Sequence, residues 1–190
     1  MPDITLDIEN ALRLKVLEQA DAAELFALID TNRSHLRQWL PWIDANASIN
    51  ESVNFIQSAE LQQKENLSFQ CGIYHQKKLA GVIGFHRIDW INRITEIGYW
   101  LGEEYQGKGI MTKSCLTLVN YAFLNFGLNR VQIRCASKNY RSQAVVRRLG
   151  FFEEGILQQA EFLYDHYVDL IIYGMTADRW KTQYQSRTKI

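Results

Sequence analysis

The passage Glu96-Ile97-Gly98-Tyr99-Trp100-Leu101-Gly102-Glu103-Glu104-Tyr105-Gln106-Gly107-Lys108-Gly109-Ile110-Met111-Thr112 constrains this chain more than any other. It reads as an apolar strand, a polar glycine-containing turn and the start of a helix. Beyond Gly109, Met111, Cys115, Leu118, Val119, Ala122, Phe123 and Phe126 recur at helical spacing. A strand that enters a helix through so short a turn aims the unpaired N–H groups of the first helical turn outward, at the positive end of the helix dipole. Such a terminus is suited to an anion, and glycine at 107 and 109 lets a pyrophosphate approach the backbone closely. The same pattern also serves as a plain tight connection, so the turn by itself names no ligand. Two familiar phosphate-binding patterns are excluded. Thr112 stands where a dinucleotide fingerprint needs Gly or Ala, and Gly107-Lys108-Gly109 is not the G-K-[ST] of a P-loop.

Around this passage the chain reads as strands and helices in a definite order. Leu12, Leu14 and Val16 alternate as a first strand. Asp21 with Glu24 has the spacing of a capping box before a helix carrying Leu25, Phe26, Leu28 and Ile29. A second helical piece covers Ser34 to Leu40 and stops at Pro41, and Ser48 with Glu51 opens a third helix. Phe69 to Ile73, Leu79 to Trp90 and Ile94 to Leu101 read as three strands, the first two joined by the polar turn His75 to Lys78. After the helix that follows Gly109 come a strand at Val131 to Ala136, a short helix at Ser142 to Leu149 ended by Gly150, and a closing hairpin from Phe151 to Gly174. The order predicts an α+β fold, with a mixed, mostly antiparallel sheet and helices on both faces.

At 190 residues the chain suits one domain spanning 1–190, with a core from about residue 10 to 178. Lys plus Arg and Asp plus Glu both total 21, so no global field draws it to nucleic acid or anionic lipid, and any anion site must be local. The segment Met1 to Asn10 has no apolar leader-like core and no stretch is long enough to span a bilayer. The reading is cytoplasmic. Cys71, Cys115 and Cys135 are odd in number and lie in apolar segments, which fits buried hydrophobes better than disulfides or zinc ligands. His35, His75, His86 and His166 form no metal-spaced pair, so no metal is expected.

Two further elements give the glycine turn its context. Asn139-Tyr140-Arg141-Ser142 follows the Val131 to Ala136 strand, and Leu149-Gly150-Phe151 follows one short helix later. With Gln106-Gly107-Lys108-Gly109, these elements resemble the GNAT superfamily of acetyltransferases over nearly the whole chain. The branch it resembles is RimL-like, which shares the strand Glu96-Ile97-Gly98-Tyr99-Trp100 and the later Gln159-Ala160-Glu161-Phe162-Leu163. One departure is that the superfamily's initial Q/R of the loop is Glu104 here, which leaves the phosphates to backbone N–H groups.

The resemblance implies acetyl-CoA as cosubstrate and an amine as acceptor, most closely the N-terminal α-amine of a ribosomal protein. It implies backbone hydrogen bonds from Trp100 and Leu101 to the pantetheine arm, and phosphate binding along Gln106, Gly107, Lys108, Gly109, Ile110, Met111 and Thr112. It places Asn139 on pantetheine, Ser142 beside the thioester sulfur and Glu161 as general base. Each of these has a plainer reading: Asn139 as a helix N-cap, Ser142 as a first-turn polar residue, Glu161 as a solvent-facing strand residue. Trp39, Trp42 and Tyr164 are expected to wall the acceptor cleft, although Trp39 and Trp42 equally suit core packing. Lys108 and Arg148 read more simply as solvated charges than as phosphate ligands. A GNAT enzyme acting on a small amine and a non-catalytic acyl-CoA-binding module stand as alternatives. The oligomeric state is open.

Overall fold

The computed structural model describes residues 4–9 and 11–187. Its eight strands are β1 (Thr5–Glu9), β2 (Leu12–Val16), β3 (Phe69–His75), β4 (Lys78–Asp89), β5 (Ile94–Leu101), β6 (Arg130–Ala136), β7 (Phe152–Leu163) and β8 (His166–Thr176). They form one sheet in the order β1-β2-β3-β4-β5-β6-β8-β7. Every neighbouring pair is antiparallel except β5 and β6, which run parallel. The helices are α1 (Ala22–Thr31), α2 (Arg33–Leu36), α3 (Ile49–Lys64), α4 (Ile110–Leu124), α5 (Tyr140–Arg148) and α6 (Ala177–Arg187). The α+β architecture read from the sequence is the one observed.

Central β4 is buried without interruption from Leu79 to Phe85. A strand covered on one side alternates, whereas an unbroken buried run needs cover on both faces. Fully buried Phe69 meets Phe85 edge-on, with ring centroids 4.8 Å apart, and Cys71, Ile73 and Ile83 continue that core. The β3–β4 connection is a two-residue turn with Gln76 and Lys77 both at positive φ, the geometry that matches the twist of a tight hairpin.

Several boundaries differ from the sequence reading for local reasons. Asp21 and Glu24 form no capping box. The Asp21 carboxylate instead accepts from the N–H of Glu18, closing a 3-10 turn at Gln19–Asp21, and Glu24 accepts from the N–H of Leu79 in β4. The Ser48 and Glu51 box does form, with the Glu51 carboxylate accepting from the Ser48 N–H at 2.9 Å. The piece expected from Ser34 to Leu40 is regular helix only over α2, followed by turns. Two elements were not foreseen, β1 and α6. The latter is anchored by Trp180, whose indole donates to Asn120 of α4 at 2.9 Å.

Candidate active site

The parallel pair β5 and β6 is joined only over Ile94–Glu96 and Arg130–Gln132. Beyond Glu96 the two strands share no ladder among the described residues, so the β6-facing backbone from Ile97 to Leu101 lies along an opening. On its other side the same stretch is held by β4, with Trp100 opposite Val82 and Leu101 opposite Gly81. The opening therefore has one rigid edge that carries unpaired backbone groups. An extended chain can use such an edge as it would a sheet edge.

At the far end of that edge lies the glycine turn. Gly102 donates to the Ala80 carbonyl and Glu103 to the Asn32 side chain, which fixes the way out of β5. Gly107 and Gly109 then take φ of 72° and 75°, and Gly109 caps α4. A side chain is disfavoured at both for conformational reasons alone. A Cβ at either would meet nothing within 4 Å, so the space beside them is open. Ile110 and Met111 bury their side chains, leaving their backbone N–H groups as what they offer at the α4 terminus, and Thr112 follows in the same turn. The Gln106 side chain does not face open space. Its amide contacts His35 Nε2 at 2.7 Å and its carbonyl accepts from Arg141, so it spans α2 and α5. Lys108 lies 5.8 Å from the centroid of the Tyr105 ring. The sequence reading took Lys108 and Arg148 more simply as solvated charges than as phosphate ligands. The guanidinium that the fold brings to this loop through Gln106 is that of Arg141, whose position depends on a 35-residue separation that no local pattern reveals.

Strand alternation sorts the remaining groups between the two faces of the sheet. On one face stand Tyr99 and Cys135, with α5 packed over them. Asn139 caps α5 by accepting from the Ser142 N–H at 3.1 Å, so the plainer reading of Asn139 describes its side-chain oxygen here. Tyr99 donates its single hydroxyl proton to the Ser142 carbonyl at 3.1 Å and accepts from the Ser142 hydroxyl at 3.0 Å. Cys135 Sγ lies 3.2 Å from the same hydroxyl, whose proton is already directed at Tyr99, so the thiol is the donor in that contact. Burial pushes the Tyr99 phenol well up and the Cys135 thiol up, which keeps both protonated. Tyr99 stood in the sequence only as part of a strand motif, and its role here was not read.

On the other face stand Glu96, Gly98, Trp100, Gln132, Arg134 and Glu161, placed there by the registers of Glu96 with Gln132, Gln132 with Gly174, and Glu161 with Val168. Trp42 meets Trp100 at 6.2 Å between ring centroids, while half-buried Trp39 lies in the same segment after α2. Tyr164, at the β7–β8 turn, donates to the Leu40 carbonyl at 2.6 Å and lies under the Arg37 guanidinium. Arg37 is itself paired with Asp44. A pocket of about 360 Å³ lies here, between Ser34, Arg37 and Gln38 on one side and Tyr164, Asp165 and His166 on the other.

The two carboxylates of this face differ in character. Burial pushes Glu96 up, but hydrogen bonds from His86 and Gln132 and the Arg134 charge outweigh it, so its pKa is lowered and it stays ionised. Glu161 is half-buried and raised, first by burial and then by the Glu96 charge, with His86 opposing. No hydrogen bond or ion pair reaches the Glu161 carboxylate among the described residues. An unpaired carboxylate with a raised pKa beside an opening is suited to take a proton. Among the described residues no three His, Cys, Asp or Glu side chains gather as a metal would need.

Comparison with known proteins agrees with this geometry. Residues 11–152 match the acetyltransferase (GNAT) domain family. The chain is 33% identical to the ribosomal-protein-serine acetyltransferase of Escherichia coli (strain K12), over 92% of this chain and 97% of that protein. It superposes on RimL, the ribosomal L7/L12 alpha-N-protein acetyltransferase in complex with coenzyme A, with a TM-score of 0.89 and 31% identity over 93% and 99% of the two chains. It also superposes on the microcin C7 self-immunity acetyltransferase MccE in complex with acetyl-CoA and AMP, with a TM-score of 0.87 and 32% identity over 93% and 97%.

Proposed function

The chain belongs to the acetyltransferase (GNAT) family, and from that premise we propose that it transfers acetyl from acetyl-CoA to a protein N-terminal α-amine, with a ribosomal protein as the acceptor. As a member of that family it is an N-acetyltransferase. The observation that carries the finer reading is the placement of unpaired Glu161 and hydroxylic Ser142 on opposite faces of the gap between β5 and β6.

Acetyl-CoA supplies an activated thioester, and the residues fit it at each end. The free edge of β5 at Trp100 and Leu101 suits the amide-bearing pantetheine arm, and the open Gly107 to Thr112 turn with the α4 terminus suits the pyrophosphate. Asn139, whose side-chain oxygen is committed to capping, retains its amide N–H groups for the arm. The acceptor enters on the Trp42 and Trp100 face. It reacts as the free amine, its ammonium proton having passed to solvent. As the nitrogen bonds to the acetyl carbon and the carbon–sulfur bond breaks, Glu161 takes the second proton from the nitrogen, directly or through water, and later returns it to solvent, while the departing sulfur takes a proton relayed from solvent by the Ser142 hydroxyl. Both substrates are bound together, and no group of the protein is acylated.

An α-amine has an ordinary pKa of about 7.7 to 8.0 against about 10.4 for Lys, so one carboxylate suffices as base near neutral pH. The acidic side chains nearby are not arranged as a polycation trap: Glu96 is paired with Arg134, Asp44 with Arg37, and Asp165 with His166. Asp169 accepts from the Gln159 N–H. This favours a peptide terminus over a polyamine. MccE holds a small molecule, AMP, together with acetyl-CoA, and on that ground a small-molecule amine is the second reading. A thiol-release assay over ribosomal N-terminal peptides, polyamines, amino acids and aminoacyl nucleotides separates them. Turnover with the peptides supports the proposal, and turnover confined to small amines contradicts it.

A further inference from the structure

Edge strand β7 does not pair evenly with β8. Leu157 stands opposite Leu170, yet the next pair toward the turn is Glu161 with Val168. Four residues of β7 thus match two of β8, a bulge of two extra residues at the level of Gln158 to Ala160. In an even ladder Gln159 would face Val168, and Glu161 would face His166 near the hairpin tip. At ~3.4 Å per residue that displaces the carboxylate by roughly 7 Å. The bulge keeps Glu161 on its face of the sheet and draws it back toward the opening. Bulges commonly re-aim a side chain beside an active site.

A bulge in a solvent-exposed edge strand needs something to hold it against straightening, and one contact does so. Gln159 takes φ of 48°, a left-handed conformation that a non-glycine residue adopts only where its surroundings favour it. Its N–H, turned out of the ladder, donates to the Asp169 carboxylate at 2.8 Å. Asp169 lies between Val168 and Leu170, so its side chain projects from the face opposite Glu161. It cannot be a second acceptor-side carboxylate. Its backbone carbonyl meanwhile accepts from Ser137 at 2.9 Å, just past β6 and two residues before Asn139. Asp169 therefore ties the bulge to the segment that leads into α5.

We propose that Asp169 is a positioning residue for acetyl transfer, which holds the β7 bulge through the Gln159 N–H and so sets Glu161 opposite Val168 at the opening. This rests on the reading of Glu161 as the base. Because the Asp169 side chain acts as a hydrogen-bond acceptor, Asp169→Asn should preserve the bulge through its amide oxygen, whereas Asp169→Ala should release it.

The test compares Asp169→Ala, Asp169→Asn, Glu161→Gln and the Asp169→Ala/Glu161→Gln pair in single-turnover acetylation of a peptide, with acetyl-CoA affinity measured alongside. Misplacing a reacting group by an ångström or more costs on the order of 10²-fold. The expected result is a fall of that size in Asp169→Ala, near wild-type rate in Asp169→Asn, unchanged acetyl-CoA affinity in both, and less than about twofold further loss when Ala is added to Glu161→Gln. If Asp169→Ala does not fold, Asp169→Ser, which is too short to reach Gln159, takes its place. Wild-type rate in the Ala variant overturns the proposal, as does equal loss in Asn and Ala, or full multiplicative loss in the double variant. A Glu161→Gln enzyme as fast as wild type instead removes the base assignment. Slow Glu161→Gln beside a fast Asp169→Ala removes only the role of Asp169.

Discussion

Ser142 donates its hydroxyl proton to the Tyr99 phenol oxygen at 3.0 Å while the same phenol donates to the Ser142 carbonyl at 3.1 Å, so α5 is clamped to β5 across the gap where β5 and β6 part. The clamp fixes the direction of the Ser142 hydroxyl. Under the proposed function, donation to a departing sulfur would require only rotation about the Ser142 side chain. Removing the phenolic hydroxyl should loosen both. Tyr99→Phe removes both part-buried hydrogen bonds, the one to the Ser142 carbonyl and the one from the Ser142 hydroxyl, at a total cost of about 1 to 3 kcal/mol from two bonds of about 0.5 to 1.5 kcal/mol each. Urea unfolding of the variant should show a loss in that range, and an unchanged midpoint and slope would deny the clamp its structural weight.

Glu161→Gln should lower turnover by ~10²- to 10⁴-fold with acetyl-CoA binding intact, since it removes the proton acceptor and leaves the glycine turn untouched. Its pH dependence gives a sharper test. With an α-amine acceptor, log kcat/KM should rise with unit slope below about pH 7.7 to 8.0, where the amine is protonated. At lower pH Glu161 is protonated as well and the slope becomes two. Because its pKa is raised by burial and by Glu96, that second break should fall above the ordinary carboxylate value. The Gln variant should keep unit slope throughout, whereas a retained second break would assign it to another group.

Gly109→Val should weaken acetyl-CoA binding. A β-branched residue at φ 75° distorts the turn, and its side chain fills the space the phosphates need. Calorimetry should show at least about a tenfold loss of affinity, corresponding to about 1.4 kcal/mol. Undiminished affinity in a folded variant would place the phosphates elsewhere.

Acid should act on the fold through Glu96. Its pKa is lower in the folded protein than in the unfolded chain, so the folded state holds fewer protons in that range. The stabilisation is present above the ordinary carboxylate value of about 4.3 and is lost as pH falls through the lowered value. Thermal melts of wild type should therefore fall in that window. Glu96→Gln should be less stable at neutral pH, where Arg134 loses its partner, and should lose less on acidification. A parallel pH dependence in the two proteins would contradict this.

What the sequence made legible and what it hid follow from the range of the interactions involved. The span of β5, the glycine turn and α4 were read from local periodicity, because alternating Ile97, Tyr99 and Leu101 and the helical spacing from Met111 are patterns within a few residues. The Ser48 box was legible for the same reason. Asp21 and Glu24 misled because Glu24 answers a backbone N–H 55 residues away. Strand β1 is half-exposed and polar, and α6 buries Trp180 among polar residues, so neither shows a clear apolar period. In the site, the candidate residues could be named from their motifs. The bulge at Gln159, the Arg141 contact with Gln106 and the pairing of Glu96 with Arg134 are agreements between distant segments, and no pattern along the chain records them.

Acetyl transfer to a protein N-terminal α-amine is tested most directly by locating the acetyl group in the product. A peptide with a free N-terminus and an internal Lys, incubated with the protein and acetyl-CoA, is fragmented and read by mass spectrometry. The expected result is a single acetyl on the N-terminal nitrogen with Lys unmodified, and none with Glu161→Gln on the same timescale. Acetyl found on the Lys side chain, or an unmodified peptide beside rapid acetylation of a free small amine, would contradict it.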